Sequence, residues 1–403
     1  MYERKVDLRS VFKLQPARPV TYFGAGAINK TNDITKELRK EGITSIVVIT
    51  GKTAYKTTGA WKKVKSALEK ENISYELYDK VRANPTYEGC EEAARIGEEA
   101  GAKAFLAIGG GSAIDTAKTA AVLIKSPGKR ASDFYEKRDE IKAAAPVIAI
   151  NTTHGTGSET NAIAVTQSDG RFKPFIASPY IYPAYSVEDP ELTLTLSKEQ
   201  TIFTAMDALN HVTEATTSSV RNPYSVLLGI ETVRLVKEYL PVSVKEPANL
   251  GARYWLMYAS ALGGISFDIG LLHITHSLEH TLSALKPDVA HGSGLIAILP
   301  AVVKQIYPAL PEVLADLYRP IIPDLRGSSD EAYHAAKKLE EWIFSIGATE
   351  KLSDMGFAEE DLDELVKVTG ESPMSRILLP LAPITVDEKT TREIFRDSLH
   401  PMQ

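Results

Sequence analysis

The sequence predicts an α/β domain built on a Rossmann-like parallel sheet, followed by an all-helical domain. Three observations lead there. Short β-rich runs alternate with helical patterns through the first 190 residues, two of those runs end in Gly/Ser/Thr-rich turns, and beyond residue 200 nearly everything is long, amphipathic and helical. Strands alternating with 10- to 15-residue helices imply βαβ units, hence a parallel sheet covered on both faces.

In order along the chain, SIVVIT (45–50) reads as a strand and TGAWKKVKSALEKE (58–71) as an amphipathic helix. SYELYD (74–79) alternates as a strand does, and EGCEEAARIGEEAGA (88–102) is again helical. AFLAI (104–108) runs through GGGS into the apolar-faced helix AIDTAKTAAVLI (113–124), and PVIAI (146–150) is another buried strand. Two β-like runs about an SDG turn, within 161–188, predict a small hairpin. Helical patterns follow at 201–219, 223–239, 247–268, 270–285, 293–306, 330–347 and 359–369, with Pro and Gly at the joints. The boundary falls near 190, giving domains 1–190 and 191–403. No internal repeat or low-complexity segment stands out.

Composition narrows the function classes. At 44% hydrophobic and 24% charged residues the chain is an ordinary globular one. A net charge of −6 argues against a nucleic-acid binder, although backbone amides can bind a local phosphate without net charge. Cys90 is the one cysteine, which excludes disulfides and thiolate-ligated clusters within one chain, and it reads as a small core residue. MYERKVDLRSVFKL lacks the apolar stretch of a signal peptide, and no run of apolar residues is long enough to span a membrane. A cytoplasmic location, with no membrane or nucleic-acid partner, is the expectation.

AFLAIGGGSAIDTAK (104–118) is strand, three glycines, serine, then helix. A helix N-terminus presents unpaired N–H groups and partial positive charge, and glycines let a phosphate approach the backbone. Ser112 stands where an N-cap would, with Asp115 in a capping-box-like place. The alternative reading is a tight β–α turn with a well-capped helix. PVIAINTTHGTGSET (146–160) supplies a second such loop after the next strand, and paired loops at successive parallel strands favour a dinucleotide. His154 lies inside it, either near a ligand or hydrogen-bonded locally.

The remaining signal is histidine. HITHSLEHTLSALKPDVAHG (273–292) holds four of the eight in the chain; His276 and His280 are spaced i, i+4 on one helical face, with His273 a turn earlier and His291 after a KPD turn. MDALNHVTEA (206–215) places Asp207 and His211 at i, i+4, with Glu214 on the same side. Two such helices can close a divalent-metal site of imidazole and carboxylate, suited to Fe²⁺, Zn²⁺, Mn²⁺ or Ni²⁺. A polar network between helices is the alternative.

GGGSAIDTAK, TTHGTGSE, MDALNHVTEA and HSLEH…AHG, in this order and spacing, resemble the iron-containing (group III) alcohol dehydrogenases, the metal-dependent branch of the dehydroquinate synthase-like fold. The likeness runs from YFGAGAI (22–28) through NPT (84–86) to REIF (392–395). It implies hydride transfer between NAD(P)(H) and a small primary alcohol or aldehyde, with a divalent metal, Fe²⁺ ahead of Zn²⁺. By the same likeness Asp207, His211, His276 and His291 are the metal ligands, and His280 lies close to metal and nicotinamide as a proton relay. The cofactor contacts it implies are Gly109, Gly110, Gly111, Ser112, Asp115, Thr152, Thr153, Ser158 and Lys173; Lys118 also matches, although a helix-surface place explains it equally. Many members carry an Asp after the first strand, where this chain has Gly51 and Lys52, so the expectation leans to NADP over NAD. His154 replaces a common alanine, and the loop from His280 to His291 is one residue longer than in the lactaldehyde-reductase-like branch. The family implies a homodimer or higher homo-oligomer. Rival readings are a glycerol dehydrogenase, a hydroxyacid–oxoacid transhydrogenase, a dehydroquinate synthase-like lyase, or a catalytically silent nucleotide- or metal-binding protein.

Overall fold

A computed structural model describes residues 19–168 and 172–403. The leading MYERKVDLRSVFKL segment and residues 169–171, which include most of the SDG turn, lie outside the described residues. Among the described residues no single helix is long and apolar enough to cross a membrane. The described residues divide into two compact units, one comprising 19–196 with 247–261, the other 197–246 with 262–403.

The first unit is a six-stranded parallel sheet in the order β1–β8–β5–β4–β2–β3. The strands are β1 (Val20–Phe23), β2 (Ser45–Thr50), β3 (Ser74–Tyr78), β4 (Ala104–Gly109), β5 (Val147–Asn151) and β8 (Tyr185–Glu188). β6 (Ile163–Val165) and β7 (Phe175–Ala177) form a separate antiparallel pair, the hairpin the sequence signals. β2, β4 and β5 carry apolar residues at nearly every position because both sheet faces are covered. Ile46, Val48, Leu106, Ile108 and Ile148 point to one face, where they meet Leu38, Val64 and Leu68 of the helices Thr31–Lys40 and Ala60–Lys70. Val47, Ile49, Phe105, Ala107 and Val147 point to the other, against Cys90, Ala94, Ile114 and Ala117 of the helices Tyr87–Glu99 and Gly111–Leu123. Cys90 is therefore a core residue, its thiol pushed up to about 12 by burial.

The second unit is helical. Its longest elements are Lys198–Thr217, Pro223–Lys245 and His291–Ile306, with Ile274–Leu285 between the last two in sequence. The predicted helix 270–285 is shorter than expected. The preceding helix, Leu250–Gly270, ends at a residue whose Cβ would stand 2.4 Å from the Ala215 carbonyl oxygen, so only glycine permits that approach. Leu271 then adopts a left-handed φ of 58°, and the next helix begins at Ile274. This break makes His273 the N-cap of that helix, fully buried, rather than a residue of a helix face: its Nδ1 accepts from the Ile274 N–H and its Nε2 meets Thr217 Oγ1 at 2.9 Å.

Candidate metal centre and cofactor loops

The helix Lys198–Thr217 carries Asp207 and His211 on one face, Ile274–Leu285 carries His276 and His280, and His291 is the first residue of His291–Ile306. Glycine sets the spacing of these helices. A Cβ at Gly292 would lie 2.6 Å from Phe203 Cβ, and one at Gly294 2.9 Å from Glu279 Cγ. Asp207 Oδ1 lies 3.4 Å from His211 Nε2, 3.5 Å from His276 Nε2 and 3.8 Å from His291 Nε2. Asp207, His276 and His291 can each offer one ligand atom within 4.8 Å of the others. Ligands about 2.1 Å from a tetrahedral cation are separated by roughly 3.4 Å, so Asp207, His276 and His291 are spaced as a metal would hold them, with His211 beside them through its approach to Asp207. Asp207 Oδ1 and His276 Nε2 are buried with no hydrogen-bond partner among the described residues, which a polar network between helices would not leave and a cation would satisfy. The residues present fit a divalent metal.

Two carboxylates behind the histidines fix their tautomers. Glu214 accepts from His276 Nδ1 and from the N–H groups of His273 and Thr275, at 3.2 and 2.6 Å. Glu279 accepts from His291 Nδ1. In the neutral ring each bond puts the proton on Nδ1 and the lone pair on Nε2, turned toward Asp207. His211 is held instead by stacking, on Phe267 at 4.4 Å and on the His276 ring at 4.7 Å. Burial would depress His276, but the charges of Glu214 and Asp207 outweigh it and carry the imidazole to about 9. Burial also disfavours the Asp207 carboxylate, yet His211 and the other imidazoles hold it well below the usual range. The His291 side chain is 28% exposed against 3% for His276, so the cluster opens to solvent on that side. His280, buried, has its ring 5.6 Å from that of His291.

In the sheet unit, Gly109 ends β4, Gly110 is the N-cap and Gly111 the first residue of the helix. Ser112 is thus inside the helix and not its cap. Side chains at these glycines would collide: a Cβ at Gly109 meets Ala113 Cβ at 2.8 Å, one at Gly110 meets Thr153 Oγ1 at 2.7 Å, and one at Gly111 meets Thr156 Cγ2 at 2.7 Å. Glycine therefore leaves a backbone cradle at a helix N-terminus, walled by the second loop, as a pyrophosphate requires. Thr152 joins the two loops through its N–H to the Gly109 carbonyl, 3.1 Å. Gly51 and exposed Lys52 follow directly on β2.

Asp115 and Lys118 work inward. Asp115 accepts from Ser158 Oγ at 2.5 Å and from the Val165 N–H at 3.0 Å, so the capping-box expectation fails for want of a cap at Ser112. Lys118 is fully buried and not on a helix surface: its ammonium donates to Ser158 Oγ, to Asn161 O and Oδ1 and to the Ile163 carbonyl, at 2.7–3.1 Å. Lys173 is buried just before β7. His154 is buried too, with Nε2 3.0 Å from Arg253 Nη1; burial and then the Arg253 charge lower it to about 3. The sequence alone marks neither Glu279 nor Arg253 as a site residue. The i+3 spacing of Glu279 from His276, inside a buried helix, was the available signal for the first; nothing local marks the second.

The model of the iron-containing alcohol dehydrogenases matches residues 19–190, and that of the C-terminal part of the Fe-containing alcohol dehydrogenase family matches 201–399. The chain belongs to the iron-containing alcohol dehydrogenase family. It is 52% identical to a long-chain primary alcohol dehydrogenase of Thermoanaerobacter ethanolicus over 99% of this chain and 100% of that one. Among solved structures it resembles an archaeal alcohol dehydrogenase from a Red Sea brine pool (TM-score 0.90, 25% identity, 98% and 100% covered). It also resembles an NADH-dependent butanol dehydrogenase of Thermotoga maritima (TM-score 0.88, 25% identity, 96% and 98% covered). This iron-containing alcohol dehydrogenase is accordingly an NAD(P)-dependent oxidoreductase that uses a divalent metal.

Proposed function

We propose that the enzyme interconverts primary alcohols and aldehydes in the cytoplasm as a homo-oligomer, with Asp207, His211, His276 and His291 holding Fe²⁺ and with NADP(H) preferred over NAD(H). The observation that carries the ligand assignment is the buried, unpartnered Asp207 Oδ1 among three imidazole nitrogens. When bound, the cation supplies Lewis-acid polarisation of the substrate oxygen, and the nicotinamide supplies or accepts the hydride. The chain's own residues do the rest. Glu214 and Glu279 keep His276 and His291 in the ligating tautomer. The glycines at 109–111 and the loop Thr152–Ser158 receive the pyrophosphate. His280, beside the partly exposed His291, moves the alcohol proton to and from solvent.

The NADP(H) preference rests on Gly51 and Lys52, where a cation and no carboxylate follow β2; a 2′-phosphate meets attraction there rather than repulsion. The match to a long-chain primary alcohol dehydrogenase supports primary alcohols as the substrate class. The test is Fe²⁺-reconstituted protein with NADPH and NADH against straight-chain aldehydes of increasing length. Turnover should favour NADPH, Gly51→Asp should shift the ratio toward NADH by roughly tenfold, and His276→Ala should lose bound metal and turnover together. Full activity of His276→Ala without metal would overturn the ligand assignment, and unchanged cofactor selectivity in Gly51→Asp would overturn the NADP(H) preference.

A further inference from the structure

Two carboxyl groups lie fully buried beside the cofactor loops, unused by the chemistry above. Glu159 sits in the short 3₁₀ turn Ser158–Thr160 that closes the second loop, and Glu188 is the last residue of β8. Ser186, two residues before Glu188 and so on the same face of β8, donates its Oγ to the Glu159 carbonyl at 2.7 Å, which brings the two carboxyl groups to one face of the sheet. Among the described residues no hydrogen-bond donor reaches either oxygen of Glu159 or Glu188 Oε1. Glu188 Oε2 accepts from Asn151 Nδ2 at 3.1 Å, where Asn151 ends β5. The far end of that amide, Asn151 Oδ1, accepts from the N–H and Oγ1 of Thr153, at 3.0 and 3.3 Å. Thr153 in turn is the wall that a Cβ at Gly110 would strike.

We propose that Glu159 and Glu188 share one proton and serve as positioning residues for the cofactor loop, locking Asn151 in the orientation that holds Thr153 against the Gly110 turn. The inference rests on that loop being the cofactor's. Two carboxylates in one dry site cannot both ionise, whereas an acid–carboxylate pair satisfies both partners. Burial pushes both groups up, Glu188 well above the carboxylate range, with the neighbouring Glu159 charge adding to it. Of the other charges, Lys118 opposes the rise at Glu159 and Asp115 adds to it, both from the helix Gly111–Leu123. The amide orientation follows from the pair: Glu188 offers Asn151 an acceptor, so Asn151 turns its NH₂ there and its oxygen to Thr153. A flipped amide would set donor against donor at the Thr153 N–H and push Thr153 into the cradle. When the shared proton leaves at high pH, the two charges repel and the Asn151 anchor moves.

The experiment measures the dissociation constant of reduced cofactor by its fluorescence, across pH, in full-length metal-loaded protein. In the wild type it should rise on the alkaline side. Glu188→Leu should weaken cofactor binding roughly tenfold at neutral pH by stranding the Asn151 amide, while Glu188→Gln keeps it. Glu159→Gln, which carries a permanent donor to Glu188, should keep neutral-pH affinity and lose the alkaline rise. Difference infrared spectra of wild type against Glu159→Gln should show a protonated-carboxyl band at neutral pH, a readout independent of cofactor. An unmoved constant in Glu188→Leu, a wild-type alkaline rise in Glu159→Gln, or absence of that band would overturn the proposal. Gly111→Val separates the two readings. If it leaves cofactor binding intact, the loop assignment fails and the positioning role with it; if it abolishes binding while Glu188→Leu does nothing, only the present inference fails.

Discussion

At the scale of residues, the metal centre depends as much on what stands behind the imidazoles as on the imidazoles themselves. Glu279 bonds His291 Nδ1 and is fully buried, so its carboxylate is tolerable only because it is engaged. Glu279→Gln should lower Fe²⁺ affinity about 10- to 100-fold without unfolding the protein, as competition with a chelator will measure. Asp207, His211 and His276 were legible as an aspartate and histidines at helical spacing, whereas His291, beyond a turn, entered only through the family resemblance. Glu279 was not, because a glutamate between two histidines looks like a solvent-facing residue until its burial is known. The role of His273 was equally hidden: it depends on a helix break at Gly270–Leu271 that only the closeness of Ala215 explains.

At the scale of elements, the loop after β5 is tied down by a neutral imidazole. His154 accepts from Arg253, whose guanidinium also donates to the carbonyls of Pro247 and Leu196, at 3.0 and 3.4 Å. Its folded value near 3 lies below the unfolded 6.5, so its contribution is complete above pH 6.5 and is lost as pH falls from 6.5 toward 3. Each pH unit in that window removes up to about 1.4 kcal/mol. His154→Gln, which keeps an acceptor but cannot titrate, should therefore lose about 2 kcal/mol less unfolding free energy than the wild type between pH 7 and pH 5, in denaturant titrations. The strands and glycine turns that carry this loop were readable from their apolar runs, since a sheet covered on both faces leaves continuous Val, Ile and Ala. β1 and β8 were not: they are four residues each, and β1 is largely exposed.

At the scale of the whole molecule, the proposed ligands come from three helices, with Asp207 and His211 more than sixty residues before His276 and His291, so a bound metal would cross-link what the sequence keeps apart. A cation at a hundred times its dissociation constant adds about 2.7 kcal/mol to the folded state. Chelation should lower the thermal midpoint and Fe²⁺ should restore it, whereas His276→Ala should show a low midpoint indifferent to chelator. The change of texture near residue 190 was visible in the sequence. That residues 247–261 pack with the sheet unit was not, because their helical pattern resembles that of their neighbours; Arg253 on His154, and Tyr254 and Tyr258 on Phe23, hold them there.

The chain's single thiol offers a different kind of access to the molecule. Cys90 is enclosed between the sheet and the helix Gly111–Leu123, with no second thiol anywhere in the sequence. A thiol-reactive reagent therefore meets one target, and meets it only when that layer comes apart. The native protein carries its own clock for the opening of the sheet unit, and any cysteine introduced on the surface would be labelled without interference from it.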